Sequence, residues 1–470
     1  MIRATPPGVA MFSRRAFMMS AAAITGAGGL ATCLAPGRAA ADGPVTVLKL
    51  QRRTIEVNGK PASVYGIRQP DGTDGLTTAV GKTFRVRVEN GIEAPSLIHW
   101  HGLTPPWQQD GVPGISGPPI PPGGSADYDF PLRFGGTFWM HSHQGLQEQL
   151  LMAAPLIIRD QRDLADQQEI VLVLADFSFT PPEEIFAALK KGGSMAMGGS
   201  GAGAATMAGG ASSASASMAG MSMASSSGSS AASGAMAGGN MAMNSGAAGP
   251  DLNDVKYDAF LANDRTLADP EVVKVEPGGR VLLRIVNSSS MSNYHIDLGQ
   301  LEGELSAVDG FPVAPVPGRR FPIAVAQRLE IRLAIPSGPA AYPVLAVLEG
   351  DRKQTGIVLQ AGQGPVARIP DMAAAASPAL NLALEGSLRA SNPLAPRKAD
   401  RIHTLNLTGE MAGYVWSLNG VAWTPAVPPL PISKGERVEL VLVNKTPMPH
   451  PMHLHGHEYQ VVEIDGTRFP

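Results

Sequence analysis

Seven of the ten histidines of this chain lie in three short clusters. The clusters are His99-Trp100-His101, His141-Ser142-His143 and His450-Pro451-Met452-His453-Leu454-His455. Alternate side chains of a β-strand point to the same side, so each His-x-His unit directs two imidazoles toward one place. Imidazole is a ligand for copper, zinc, iron and nickel. Three clusters so far apart in the sequence predict a site for several metal ions, rather than a chance collection of surface or core histidines.

A repeated template precedes the first and third clusters. Its three copies run from a glycine to an asparagine, with apolar residues at the fourth, sixth and eighth places, and span Gly81–Asn90, Gly278–Asn287 and Gly435–Asn444. A period of two predicts a strand with one buried face, which the glycine opens from a turn and the asparagine closes. The copies lie about 160 to 200 residues apart. That spacing suits whole domains rather than the units of a solenoid.

Counting forward from each asparagine pairs the histidines. The places nine and eleven residues after Asn90 and Asn444 hold the matched histidines His99 and His101, and His453 and His455. The same two places in the middle repeat hold Ile296 and Leu298. We therefore expect ligands from the first and third repeats only. His295 is one residue out of register, and we expect it to be an ordinary histidine.

The surrounding sequence is rich in valine, leucine, glycine and proline, with short strand-like runs and many turns. This pattern predicts an all-β protein of three consecutive Greek-key β-sandwich domains. The expected ranges are 42–160, 161–365 and 376–470, and the third domain is expected to be incomplete. The best helical candidate is short and spans Pro182–Lys191.

The three histidine motifs together resemble those of the multicopper oxidases, and most closely the bacterial copper-resistance and laccase-like branch. The resemblance runs from about Val45 to Pro470, apart from one insert. It implies three cupredoxin-like domains and four copper ions in the complete enzyme. One type 1 copper would take electrons from a reducing substrate. A cluster of one type 2 and two type 3 coppers would pass four electrons to dioxygen and form water.

The resemblance also implies a role for each clustered histidine. The type 2 ligands would be His99 and His453. The type 3 ligands would be His101, His141, His143 and His455, and the type 1 ligand would be His450. The spacing of the repeats pairs the same residues independently of the resemblance.

Three further residues have two interpretations each. Asp110 matches a family carboxylate that helps to deliver protons to bound oxygen, and it is equally typical of a turn before Gly111. Glu148 could orient an imidazole that binds metal, or it could be solvated. His457 is expected to donate a hydrogen bond near the third cluster rather than to bind metal.

The chain departs from the family at one motif. The His-Cys-His-x-x-x-His motif that supplies the type 1 thiolate and further ligands is absent, and Cys33 is the only cysteine. Because type 1 copper needs a His2Cys site, the polypeptide as given is expected to be inactive. The spacing of the repeats predicts this motif near or beyond position 495, so we expect the sequence to be a truncated record of a complete enzyme.

The first 41 residues are typical of an exported precursor. Arg14 and Arg15 precede a short apolar stretch, and small residues end at Ala41. This pattern predicts a twin-arginine signal peptide, export by the twin-arginine machinery, a periplasmic location and no integral membrane span. Lipidation at Cys33 is the alternative. The net charge of −3 gives no basic surface for nucleic acid.

Residues 192–249 change abruptly in composition. Glycine, alanine, serine and nine methionines replace charged and aromatic residues. Such a segment is expected to be disordered, and it is either a mere flexible insert in the second domain or a binding segment for Cu(I), which prefers thioether sulfur. We favour Cu(I) binding.

These features predict a periplasmic multicopper oxidase that couples oxidation of Cu(I), for copper tolerance, to the reduction of dioxygen. Laccase-type oxidation of small phenols is the first alternative. A non-enzymatic periplasmic copper-binding protein is the second, and a family member that has lost its copper is the third.

Overall fold

A computed structural model of the chain describes residues 2–3, 44–161, 166–191, 252–410 and 413–469. The proposed cleavage site, the remainder of the signal peptide beyond residues 2–3, and the methionine-rich insert lie outside the described residues. Almost all regular structure in the described part is β-strand. None of its helices is both long and apolar enough to cross a membrane.

Two four-stranded sheets form the first sandwich. One has the order β3 (Lys60–Arg68), β2 (Thr46–Val57), β5 (Thr83–Asn90), β7 (Ser125–Pro131), and the other has the order β4 (Leu76–Ala79), β9 (Ala153–Arg159), β8 (Gly136–Ser142), β6 (Ile98–His101). Their facing sides share one core, in which Phe84 and Val88 of β5 are buried together with Trp100, Phe138 and Leu156. The core fixes both strands that carry histidines, because β6 and β8 each bury a large aromatic residue in it.

Two larger sheets form the second sandwich. One has the order β11 (Ala259–Ala262), β10 (Gln168–Phe177), β13 (Arg280–Asn287), β18 (Arg328–Ala334), β15 (Gly303–Val308), β16 (Phe311–Gly318), and the other has the order β12 (Val272–Val275), β20 (Gln354–Ala361), β19 (Ala340–Leu348), β14 (Tyr294–Asp297), β17 (Arg320–Ile323). Helix α1 (Pro182–Lys190) follows β10 and confirms the predicted short helix. A second helix, α2 (Ala383–Ser387), follows the second sandwich.

The remaining strands form one five-stranded sheet and one hairpin. The order of the sheet is β22 (Val415–Leu418), β21 (Arg401–Glu410), β23 (Arg437–Asn444), β1 (Ile2–Arg3), β24 (Glu458–Tyr459), and the hairpin is β25 (Glu463–Ile464) with β26 (Thr467–Arg468).

The three repeat segments form equivalent strands, as predicted. Strands β5, β13 and β23 each end at the asparagine of the repeat and pair in parallel with β2, β10 and β21. The asparagine side chains then make the same turn. Oδ1 accepts a hydrogen bond from the amide two residues later at 3.1, 3.1 and 2.9 Å for Asn90, Asn287 and Asn444. This shared turn explains why the histidines that follow keep the same register.

The third repeat strand differs in burial. The eighth place of the template is Val88 in β5 and Ile285 in β13, and both are 0 % exposed. The same place in β23 is Leu442, which is 43 % exposed. In the first two sandwiches a second sheet covers this face, whereas the only other sheet among residues 401–410 and 413–469 is the β25–β26 hairpin.

A buried ion network joins the first and second sandwiches. Arg284 of β13 is fully buried and pairs with Glu330 at 2.7 Å and with Glu169 at 2.8 Å. Thr137 of β8 donates to Glu330 at 2.8 Å and lies 3.1 Å from Arg284. Strand β8 carries His141, so this network also fixes the strand that positions a candidate ligand.

Candidate metal centre

Strands β6 and β8 bring the first two histidine clusters together. They pair antiparallel with His99 opposite His141 and His101 opposite Trp139. His143 follows β8 directly, and its ring stacks on that of His99 with centroids 4.6 Å apart. The four imidazoles of the first sandwich therefore share one face of a sheet edge.

The third cluster meets the first two. Nε2 of His453 lies 3.2 Å from Nε2 of His99, and the ring of His453 stacks on that of His101 with centroids 3.9 Å apart. The expectation of a strand was wrong here, because His453 lies in an irregular segment and His455 in a turn. Their position comes from the turn after Asn444 and from contacts with the first sandwich.

The ligand atoms of these histidines form two overlapping groups. In one group His99, His143 and His455 each offer a nitrogen within 4.8 Å of the others, and in the second His99, His101 and His453 do so. Nδ1 of His101 lies 3.3 Å from Nε2 of His141. Six of the seven predicted ligands are thus close together.

His450, the seventh, belongs to neither group. Its Nε2 lies 2.6 Å from the hydroxyl oxygen of Thr446, and its ring contacts Trp416 with centroids 5.2 Å apart. Tyr414 stands next to Trp416 at 5.6 Å, and it also contacts Phe186 of α1 at 6.4 Å. The Tyr414 hydroxyl donates to Asp254 at 3.3 Å. The residues on both sides of the methionine-rich insert therefore contact one tyrosine near His450.

Four of the six converging imidazoles have oxygen acceptors at Nδ1. His99 donates to the backbone oxygen of Asp110 at 2.7 Å, His141 to Glu148 at 2.9 Å, His143 to the backbone oxygen of Gly111 at 3.0 Å and His455 to Asp110 at 3.0 Å. Oxygen acceptors fix the proton on Nδ1, so each Nε2 keeps a free lone pair for a metal. This donor set fits copper, for which imidazole is a suitable ligand.

Burial keeps the central imidazoles neutral. His99 is 0 % exposed, and burial lowers its pKa to about 4, against the opposing effect of the Asp110 carboxylate. Burial also lowers the pKa of His101 well below its ordinary value, and the charges of Arg328 and neighbouring histidines act in the same direction. Metal binding needs unprotonated imidazole, so both residues are ready to bind metal at neutral pH.

Asp110 is buried beside these ligands. Gly111 has φ of +72° and approaches β6 so closely that a Cβ there would lie 2.0 Å from the backbone oxygen of Ile98. This approach holds Asp110 with Oδ2 on His455 and Oδ1 3.2 Å from Nδ1 of His99. The His99 proton is directed to the backbone oxygen, so Oδ1 has no hydrogen bond. Burial opposes ionisation, yet the hydrogen bond from His455 and the nearby His99 imidazole hold the Asp110 pKa at about 2.

The two remaining residues with open interpretations also have defined contacts. The hydrogen bond to His141 places Glu148 against a candidate ligand, with the side chain 22 % exposed. His457 donates from Nδ1 to the backbone oxygen of His455 at 3.0 Å, as expected of a hydrogen-bond donor. His295 lies away from both groups, with Nε2 3.1 Å from the backbone oxygen of Pro378.

Sequence reasoning missed two neighbours of the site. Trp139 stacks on His141 with centroids 4.1 Å apart and planes 10° apart. It precedes His141 by two residues in β8, so the period of two could have placed it on the same face. Arg328 comes from the second sandwich and carries no local signal, because its approach depends on how the two sandwiches pack.

Comparison with known proteins identifies this arrangement. Three family models, each described as multicopper oxidase, match residues 49–163, 170–362 and 396–469. The chain belongs to the multicopper oxidase family. It is a copper-dependent oxidoreductase, and the histidines that converge here are in keeping with the copper cofactors of that family.

Among its relatives, this multicopper oxidase is 25 % identical to copper resistance protein A of Pseudomonas syringae pv. tomato, over 97 % of the chain and 91 % of that protein. It is 26 % identical to the multicopper oxidase MmcO of Mycobacterium tuberculosis, over 83 % of the chain and 71 % of that protein.

Solved structures confirm the predicted fold class. A laccase-like multi-copper oxidase from Ochrobactrum sp. matches with a TM-score of 0.61 and 19 % identity, over 91 % of the chain and 85 % of that structure. A multi-copper oxidase from Pseudomonas thermotolerans matches with a TM-score of 0.57 and 20 % identity, over 87 % of the chain and 83 % of that structure. The chain is therefore an all-β protein of cupredoxin-like sandwiches.

Proposed function

We propose that this multicopper oxidase couples the one-electron oxidation of Cu(I) to the four-electron reduction of dioxygen to water. The observation that carries the proposal is the convergence of six imidazoles, four of which have Nδ1 held by an oxygen acceptor. Copper, when bound, would accept single electrons from the reductant and supply them to dioxygen. The chain itself contributes ligand geometry, exclusion of water and a proton route.

The closest nitrogen contacts support an assignment of the ligands. His99 and His453 would bind the type 2 copper, since their Nε2 atoms lie 3.2 Å apart. His101 and His141 would bind one type 3 copper, with nitrogens 3.3 Å apart. His143 and His455 would bind the other, since their ligand nitrogens fall within one 4.8 Å group.

His450 would bind the type 1 copper, outside the group of six. Its Nε2 lies 2.6 Å from the hydroxyl oxygen of Thr446, and its ring is half-buried against Trp416. We also propose that the three sandwich domains span residues 42–160, 161–365 and 376–470.

Asp110 is the proposed proton carrier. Its Oδ1 is buried and has no hydrogen bond, so it is the atom at which a proton would be taken up and passed on. The hydrogen bond from His455 and the nearby His99 imidazole keep the carboxylate charged and oriented between two proposed ligands. A carboxylate so placed can act as a general acid and base while it also fixes the imidazoles.

Two observations favour Cu(I) as the reducing substrate. The methionine-rich insert offers nine thioether sulfurs, which select Cu(I) over harder ions. The chain is also similar along almost its whole length to a protein named for copper resistance. Small phenols are the second candidate, because laccase-2 of Thanatephorus cucumeris is 25 % identical over 64 % of the chain and 43 % of that protein.

We propose a periplasmic location, with residues 1–41 as a twin-arginine signal peptide. Arg14 and Arg15 support this route. A reporter fused to residues 1–60 should be exported, and replacing both arginines with lysine should abolish export. Cleavage after Ala41 would leave a free amino terminus at Asp42, whereas lipidation at Cys33 would retain the protein in a membrane fraction.

Rates with Cu(I) and with a phenol, measured on the intact native protein loaded with copper, test the choice of substrate. Replacement of the nine insert methionines by leucine keeps the length of the insert and removes its sulfur ligands. This variant should oxidise Cu(I) more slowly and the phenol at the original rate. Deletion of residues 192–249 should do the same. Unchanged Cu(I) oxidation in both variants would overturn the role of the methionines.

A further inference from the structure

Arg328 brings a positive charge from the second sandwich to the candidate copper centre. It opens strand β18, is 5 % exposed, and extends toward strand β8 of the first sandwich. Its guanidinium donates to the backbone oxygens of Ala326 at 2.7 Å, Asp309 at 3.0 Å and Thr137 at 3.4 Å. His141 comes four positions after Thr137 in β8, so the side chain of Arg328 reaches the strand that carries a proposed ligand.

The guanidinium packs directly on the residue after His101. A Cβ on Gly102 would lie 2.8 Å from Nη2 of Arg328 and 2.6 Å from the ring of Phe138. Gly102 has φ of +91° and no side chain, and both features allow this approach. The charge therefore lies beside the backbone that holds His101 in place.

The charge of Arg328 is only partly balanced. Among the described residues its one carboxylate partner is Asp309, whose Oδ1 lies 3.2 Å from Nη1 and whose side chain is 42 % exposed. Water screens the exposed Asp309, whereas the buried guanidinium acts through a medium of low dielectric constant. Asp110, a buried carboxylate of the centre, contacts His99 and His455. The centre thus has charges of opposite sign next to different ligands.

We propose that Arg328 is an electrostatic positioning residue of the copper centre, and that its fixed charge favours the binding of small anions beside His101. The proposal rests on the copper ligands assigned above. Removing a unit charge at this depth should weaken the binding of a monovalent anion about tenfold, which corresponds to about 1.4 kcal/mol.

Azide is a suitable probe, and its binding to the copper-loaded protein can be followed by absorption spectroscopy, with copper content measured on each sample. Arg328→Met should bind azide about tenfold more weakly than the wild type. Arg328→Lys keeps the charge but loses the planar fork, and should stay within about twofold of the wild type. Arg332→Met is the matched control, because Arg332 lies in the same strand with its side chain 39 % exposed. It should leave the azide affinity unchanged.

A fourth variant avoids the loss of a buried arginine. Asp309→Asn removes the partner charge, keeps the oxygen that accepts from the Arg328 amide, and suits the φ of +52° at this position. It should strengthen azide binding several-fold.

Equal weakening in Arg328→Met and Arg328→Lys would assign Arg328 a hydrogen-bonding role only and overturn the proposal. Unchanged affinity in Asp309→Asn, or in a folded Arg328→Met, would overturn it as well. A wild-type protein that binds no copper would instead contradict the proposed ligands, so the two failures are distinguishable.

Discussion

Oδ2 of Asp110 accepts a hydrogen bond of 3.0 Å from Nδ1 of His455, a residue 345 positions later in the chain. The same aspartate receives the Nδ1 proton of His99 on its backbone oxygen at 2.7 Å. One residue therefore orients an imidazole from the first cluster and another from the third. The two clusters are matched by the internal repeat, and Asp110 couples them directly.

Replacing Asp110 with asparagine should separate its two roles. The amide keeps the shape of the side chain and can still accept from His455, so copper content should change little. Oxygen consumption by the intact native protein should fall about a hundredfold, because the amide cannot carry a proton. Asp127→Asn, in an exposed pair with Arg87, is the control and should retain full activity. Full oxygen consumption in Asp110→Asn would contradict the proton role.

Removal of a proposed type 3 ligand should change copper content selectively. His101→Ala and His455→Ala should each bind less copper and lose oxygen reduction, while the blue absorption of the intact native protein persists. His403→Ala should bind copper as the wild type does, since His403 contacts the backbone oxygen of Pro431 and lies outside both groups. Metal analysis and absorption spectra check all three, and normal oxygen reduction in His101→Ala or His455→Ala would show that the assignment is wrong.

The copper-free protein should lose stability in mild acid. The pKa of His99 falls from 6.5 to about 4 on folding, so the unfolded chain takes up a proton in this range and the folded chain does not. Stability is therefore complete above pH 6.5 and falls as the pH drops toward about 4. Each such histidine contributes about 1.4 kcal/mol per pH unit, and His101 shifts in the same direction.

Denaturant unfolding at pH 7, 6 and 5 measures this dependence. His99→Gln should unfold with a smaller pH slope than the wild type, because it removes one of the titrating groups. A free energy of unfolding that stays constant between pH 7 and 5 would show that the buried imidazoles do not resist protonation.

Substitution at the eighth place of the repeat should cost more stability in β13 than in β23. Ile285→Ala removes a fully buried side chain and should cost about 2 to 5 kcal/mol. Leu442→Ala removes a side chain that is 43 % exposed, and should cost under about 1 kcal/mol. Thermal unfolding of both variants tests this. Comparable losses would mean that the face of β23 is covered in solution.

The buried ion network should be far more sensitive than a surface pair. Glu330→Ala removes one of the two carboxylates that pair with the buried Arg284 and should destabilise the protein by about 3 kcal/mol. Glu304→Ala removes an exposed pair with Arg332 at 3.9 Å and should cost under about 0.5 kcal/mol. Urea unfolding measures both, and similar values for the two variants would contradict the role of the network.

The repeat allowed much of the site to be predicted. Asn90 and Asn444 make the same side-chain turn, so equal counts along the chain lead to equivalent places in space. The strands of the repeat were also predictable, because apolar residues at every second place form one face that must be buried.

The rest of the site depends on contacts between distant residues, which no local sequence pattern predicts. The segment of His453 and His455 is irregular, although the His-x-His spacing is typical of a strand. The hydrogen bond between Glu148 and His141 depends on the fold of residues 144–152. There Oε1 of Gln147 accepts hydrogen bonds from the hydroxyls of Ser96 at 2.7 Å and Ser142 at 2.8 Å. These bonds fix Gln147 and thereby the adjacent Glu148.

The contacts of Tyr414 have a consequence for how this protein can vary. Phe186 precedes the methionine-rich insert and Asp254 follows it, and both contact that one tyrosine. The described residues on either side of the insert are therefore held at one place whatever the length of the insert. The entropy of closing a loop grows only with the logarithm of its length, at about 0.6 kcal/mol for each doubling. Methionines can thus be gained or lost in this segment by duplication or deletion at little cost to folding, so the proposed Cu(I)-binding role can change without any change in the histidine site.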